Sequence, residues 1–156
     1  VALLRLDGDA PATVGTIRFE RTRPYEQRGS VATVIGWGLT ETGMVSDVLL
    51  EVNVPLVDTE TCSAGNDEVR RNSGSGGVLT IGPRQLCAGA AEGGRDSCGG
   101  DSGGPLFSPV PGVPGRHVLL GIVSWGTMRC GEPGTYGVYT RVSAVADWIR
   151  AVVGDG

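Results

Sequence analysis

A chain of 156 residues fits one domain with room for a core of its own, and 40% apolar with 19% charged residues is a globular composition. A net charge of −4 without a basic block argues against a nucleic-acid partner, and no apolar run reaches the ~18 residues of a membrane span. All 13 basic residues are arginine, which excludes lysine Schiff-base chemistry and a P-loop lysine.

The 27 glycines and 9 prolines predict many turns and short strands. Residues 1–6 (V-A-L-L-R-L) read as a strand and residues 8–11 as a turn. With no initiator Met, and a start too short for a signal-peptide core, the expectation is a chain processed or cut from something longer. Residues 18–28 are polar, hold four arginines and predict an exposed connection. Residues 31–38 (V-A-T-V-I-G-W-G) are β-rich and end at Gly36-Trp37-Gly38. Residues 47–57 are the longest strand candidate, where Pro55 marks a strand end or an edge because it lacks a ladder donor. A short helix starts at 58–62, capped by Asp58 or Thr59, and 72–77 (N-S-G-S-G-G) reads as a flexible loop tip.

Further strands are predicted at 85–89, 105–108, 117–125 and 135–142, with a turn-rich connection over 108–115. From Ser143 on, Val145, Ala146, Trp148, Ile149, Val152 and Val153 recur at helical spacing. Without repeats or an interdomain linker, this predicts an all-β fold: a small antiparallel β-barrel with a C-terminal α-helix. Four cysteines allow three pairings; with no C-x-x-C and no cluster around the lone His117, a zinc site is not expected. An even count in a loop-rich chain points to disulfides and an oxidising compartment.

The chemistry concentrates in Asp96-Ser97-Cys98-Gly99-Gly100-Asp101-Ser102-Gly103-Gly104-Pro105. A serine hydroxyl needs a base to become a nucleophile, and its tetrahedral product needs donors already aimed at the new anion. Glycines let the backbone turn sharply enough to present such donors. The run also satisfies G-x-S-x-G. An α/β-hydrolase would then need an acid and a histidine in that order after Ser102, and no histidine follows His117 while no acid lies between the two.

Read with Ser124-Trp125-Gly126 and Gly137-Val138-Tyr139-Thr140, the run resembles the trypsin-like (chymotrypsin-fold) serine endopeptidases. The resemblance covers nearly the whole chain, but only the second barrel of that two-barrel fold. It implies Ser102 as nucleophile, the backbone N–H groups of Gly100 and Ser102 as oxyanion hole, and disulfides Cys62–Cys87 and Cys98–Cys130. It places Asp96 at the floor of a specificity pocket for Arg or Lys, with Ser97 beside it and Gly126 and Gly137 leaving the slot open. Ser124, Trp125 and Gly126 would pair with substrate backbone as an added strand. The family's acid at Asp101 pairs with an ammonium released by zymogen cleavage; Val1 does not begin the family's activation sequence, so without that ammonium the hole would be poorly formed. Tyr136 stands where members with Tyr rather than Pro can bind sodium through backbone carbonyls; no other cofactor is implied.

Two family features lie outside the match. The catalytic acid would stand just before Val1, and the catalytic histidine further upstream in the first barrel; His117 follows Ser102 and cannot replace it. The resemblance therefore implies a partial protease domain over residues 1–156, inactive or nearly so alone, from a secreted endopeptidase whose partners are Arg/Lys-bearing polypeptides, the missing barrel and protein protease inhibitors. The alternative is a catalytically dead homologue acting as a binding module. Many relatives bridge the strands that hold Ala32 and Ser108, and both cysteines are absent here; the loop from Cys62 to Cys87 looks longer than usual and would modulate access.

Overall fold

The structure, a computed structural model, describes residues 1–72, 74, 80–127 and 129–154. Its elements run β1 (Arg18–Phe19), β2 (Val31–Gly36), β3 (Leu50–Val57), α1 (Thr59–Asn72), β4 (Gln85–Ala88), β5 (Pro105–Pro109), β6 (His117–Trp125) and β7 (Gly137–Arg141). A 3-10 turn (Val142–Ala144) and α2 (Ala146–Val153) follow. Strands β2 to β7 are ordered β6-β5-β2-β3-β4-β7, and β7 pairs back onto β6, which closes an antiparallel barrel; β1 adds a short parallel rung to β6.

Alternation explains the closure. Ala32 and Val34 of β2, Val54 and Leu56 of β3, Leu86 and Ala88 of β4, and Leu106 of β5 all point inward to one core with Val118, Leu120, Val123 and Tyr139. The inward phase of β6 changes after Leu120. β6 carries one extra residue there: consecutive Leu106 and Phe107 of β5 pair with Gly121 and Leu119, so Leu120 bulges, after which Val123 turns into the core and Ser124 is exposed. A smaller cluster outside the barrel, Cys62, Ile81, Cys87, Tyr136 and Val138, seats α1 against β4 and β7.

The predicted all-β barrel with a C-terminal helix is the observed fold. The predicted strands beginning at 31, 85, 105, 117 and 135 are all present, with ends shifted by a few residues. Several expectations need correction. Residues 1–6 form no strand and are exposed, Leu4 at 89%, because no described strand lies beside them to complete a ladder. Residues 18–28 are not wholly an exposed connection: they contain β1, and the Glu26 side chain is 3% exposed and paired with Arg141 of β7.

Pro55 sits inside β3, opposite Val31. Its carbonyl accepts from Gly89 N–H (3.0 Å) on the β4 side, where the β3–β4 ladder ends at Ala88, so its missing N–H costs no rung. The helix after Asp58 has 14 residues rather than one short turn. Asp58 caps it, accepting from Thr61 N–H (2.8 Å) and Thr61 Oγ1 (2.9 Å), and these bonds hold its carboxyl below the ordinary carboxylate pKa. Of the predicted loop tip at 72–77, Asn72 ends α1 and Gly74 lies in a turn, while 73 and 75–77 fall outside the described residues. Among the described residues no helix is long and apolar enough to cross a membrane.

Candidate active site

Ser102 lies on the loop between β4 and β5, exposed at its crest. The loop is held from several sides. Cys98 is bonded to Cys130, and Cys62 to Cys87, both as the resemblance implied. Gly103 N–H donates to Val123 O (2.9 Å), and Val123 N–H returns to Gly104 O (2.9 Å), so the loop is laced to β6 immediately after the serine. Gly104 N–H closes a turn on Asp101 O (2.8 Å). Gly100 has φ +103° and its missing Cβ would stand 3.0 Å from Gly38 Cα, so a side chain is excluded twice, by conformation and by space. Among the described residues, no turn or loop bond to a backbone carbonyl engages the N–H of Gly100 or Ser102.

Asp101 turns away from the serine into a cradle. Its Oδ1 accepts from Gly38 N–H (2.8 Å) and its Oδ2 from Cys98 N–H (2.9 Å). A Cβ on Gly38 would fall 2.6 Å from the carboxylate, and one on Gly36 would overlap it. Gly36-Trp37-Gly38, noted in the sequence only as a strand end, is thus the seat of this acid. A cleft of about 630 Å³ opens beside it, with Asp101, Asp96, Leu39 and Arg129 on its walls.

Asp96 lies beneath Gly137. Its Oδ1 accepts from Ser97 N–H (2.8 Å), its Oδ2 from Gly131 N–H (3.1 Å), and a Cβ on Gly137 would stand 2.7 Å from Oδ1. Burial pushes the Asp96 carboxyl above the ordinary pKa; the two N–H donors oppose this, and the nearby charge of Asp101 adds to it. Ser97 Oγ meets the hydroxyl of Tyr139 at 3.2 Å. Tyr139 is fully buried, and desolvation raises its pKa, so the pair is a neutral hydroxyl contact at the slot floor. Gly126 and Gly137 face each other, the missing Cβ of Gly126 lying 4.0 Å from Gly137 Cα. The structure therefore brings Asp96 and Ser97 close to Gly137, with Gly126 alongside. Ser124 and Trp125 close β6 beside it, Ser124 exposed and Trp125 half-buried.

His117 is elsewhere. It opens β6, its ring edge-on to Phe107 at 5.2 Å, while the serine loop is laced to Val123 at the other end. That separation is roughly 20 Å at about 3.3 Å per strand residue. Tyr139 and the glycine cradle were missed as site residues because their roles depend on strands far apart in sequence. So was Asn66; its one sequence signal is an asparagine in a helix interior, a poor helix former with no local task.

These features agree with the comparisons. The Trypsin family model matches residues 1–149. Serine protease 56 of Homo sapiens is 46% identical over 123 residues, covering 78% of this chain and 19% of that protein. Clotting factor C of Tachypleus tridentatus is 38% identical over 134 residues, 85% of this chain and 13% of that protein. The CLIP domain-containing serine protease HP8 of Bombyx mori is 40% identical over 156 residues, 96% of this chain and 39% of that protein. The chain thus spans well under half the length of these relatives. On its barrel, its two disulfides and the match along nearly its whole length, the chain belongs to the trypsin family of serine proteases.

Proposed function

We propose that the protein carrying this chain is a secreted endopeptidase that cleaves after Arg or Lys. The observation that carries the reading is one buried carboxylate, Asp96, packed beneath Gly137 with Gly126 alongside, six residues before an exposed serine on an anchored loop; the slot is the space these residues would line. A guanidinium or ammonium entering that slot would meet Asp96 in a charge-assisted contact and remove the burial penalty on its charge. Ser124, Trp125 and Gly126 would hold the substrate backbone as an added strand.

In this reading Ser102 Oγ attacks the scissile carbonyl, the N–H groups of Gly100 and Ser102 stabilise the oxyanion, and the C–N bond breaks to leave an acyl-serine that water hydrolyses. The proton of Ser102 passes to a base and then to the leaving amine. No histidine lies near enough in this chain, so the base and its orienting acid would come from a part of the protein outside these 156 residues. Asp101 would receive an ammonium in the cleft beside it, which would set the loop for catalysis; until then the hole would be poorly formed. Protein inhibitors of proteases would enter the same slot.

Sodium near Tyr136 fits less well. The carbonyls of Gly131, Glu132 and Tyr136 each already accept a bond, from Gly94, Thr135 and Asn66, which an ion at those oxygens would have to share, and no step depends on the ion.

The test is fluorophosphonate labelling of the full-length protein, together with hydrolysis of arginyl and leucyl peptides. Labelling at Ser102 and a preference for arginine of about 100-fold or more support the reading. A folded full-length protein that does not label at Ser102 refutes it and favours a homologue that binds without cleaving.

A further inference from the structure

The slot wall has a support in α1. Asn66, fully buried, donates from Nδ2 to Tyr136 O (3.0 Å) and accepts at Oδ1 from Tyr136 N–H (2.9 Å). One side-chain amide thereby satisfies both backbone groups of the residue before Gly137, as a neighbouring strand would. The rest of the junction is equally close. A Cβ on Gly65 would overlap Gly134 O, so α1 presses directly on the segment that leads into β7. One turn before Asn66 on the same helix face, Cys62 is bonded to Cys87, which pairs with Val138 of β7.

We propose that Asn66 is a positioning residue of the substrate slot: by holding both backbone groups of Tyr136 it sets the height of Gly137 over Asp96, and so makes α1 a determinant of how tightly a cationic side chain is bound. This rests on the reading that Asp96 receives that side chain. The physical point is the clearance. The space between Gly137 and Asp96 Oδ1 is too small for even a Cβ, which would stand 2.7 Å from that oxygen, so a shift of Tyr136 that moves Gly137 changes the room left above the carboxylate. A side chain that served only to fill the space behind β7 would not need to face both the donor and the acceptor of a single residue.

The test uses the full-length protein and the variant Asn66→Asp, which keeps the size and the acceptor for Tyr136 N–H but turns a second acceptor onto Tyr136 O. The expected result is about tenfold weaker binding of 4-aminobenzamidine and a matching rise in KM for an arginyl peptide, with kcat and fluorophosphonate labelling within about twofold of wild type. Unchanged amidine affinity overturns the proposal. So does a parallel loss of amidine affinity and labelling, since that would mark a structural role only. A measurement on the wild type avoids any folding defect: because coupling is reciprocal, filling the slot with 4-aminobenzamidine should slow amide exchange at Tyr136 severalfold, by about threefold or more. Exchange that ignores the ligand also overturns it. A wild type that labels at Ser102 yet does not bind the amidine refutes the slot reading itself, and the positioning role with it; a wild type that binds the amidine leaves the Asn66 results to decide the positioning role alone.

Discussion

Adding one methyl group at Gly137 tests the slot directly. In Gly137→Ala the new Cβ would stand 2.7 Å from Asp96 Oδ1 and 3.0 Å from Tyr139 Oη. Contact distances for such atoms begin near 3.5 Å, so the carboxylate must retreat by roughly 0.5–1 Å. Retreat strains the 2.8 Å bond from Ser97 N–H, and Tyr139 cannot yield easily because it is fully buried and its hydroxyl meets Ser97 Oγ. The methyl also occupies space a guanidinium would use. Losing one charge-assisted hydrogen bond costs about 1.5–3 kcal/mol, which is a fall of about 10- to 150-fold in kcat/KM for an arginyl peptide. Overpacking should lower stability by about 1–3 kcal/mol, visible in a urea melt. Fluorophosphonate labelling of Ser102, which does not use the slot, should stay within about threefold of wild type. A folded Gly137→Ala enzyme that cleaves arginyl peptides at the wild-type rate would refute the reasoning.

Three further outcomes follow from the same geometry. Because burial raises the Asp96 pKa, amidine binding should fail as pH drops through a midpoint above 3.8, the ordinary value; loss only at or below that value would contradict the burial argument. In stability the sign is reversed from a salt-bridged acid: the folded pKa lies above the unfolded one, so the ionised group weakens the free protein above its folded pKa, and the penalty is relieved as pH falls through that value. Asp96→Asn should therefore be at least as stable as wild type in a neutral-pH melt while losing amidine binding. Truncating Glu26→Ala leaves Arg141, its side chain 11% exposed, without its ion-pair partner and should cost about 3–5 kcal/mol in urea unfolding; adding Arg141→Met should recover much of that, and a double variant no better than the single one would show that the pair is not the unit. Exchanging sodium for potassium at constant ionic strength should leave arginyl hydrolysis unchanged within about twofold, and a larger activation by sodium would show that the occupied carbonyls near Tyr136 still hold the ion.

The linear sequence was enough for what is local or periodic. The β-rich run at 31–38 and the apolar run at 117–125 marked two barrel strands, the cap candidates Asp58 and Thr59 marked the start of α1, and the glycine run around Ser102 marked the reactive loop. The disulfides were legible only through family resemblance, since four cysteines alone leave three pairings open. Other features depended on chain closure. Residues 1–6 have a strand's composition, yet a strand exists only where a neighbour supplies the other half of its hydrogen bonds, and none of the described strands lies there. Pro55 could sit inside β3 because the β4 ladder happens to end beside it. Glu26 and Arg141, Asp101 and the Gly36-Trp37-Gly38 cradle, and Asn66 and Tyr136 are far apart along the chain and meet only when the barrel closes. Propensity and spacing are properties of neighbours in sequence; burial, charge pairing and the fit of a missing Cβ are properties of neighbours in space, and the second set decided the shape of the slot.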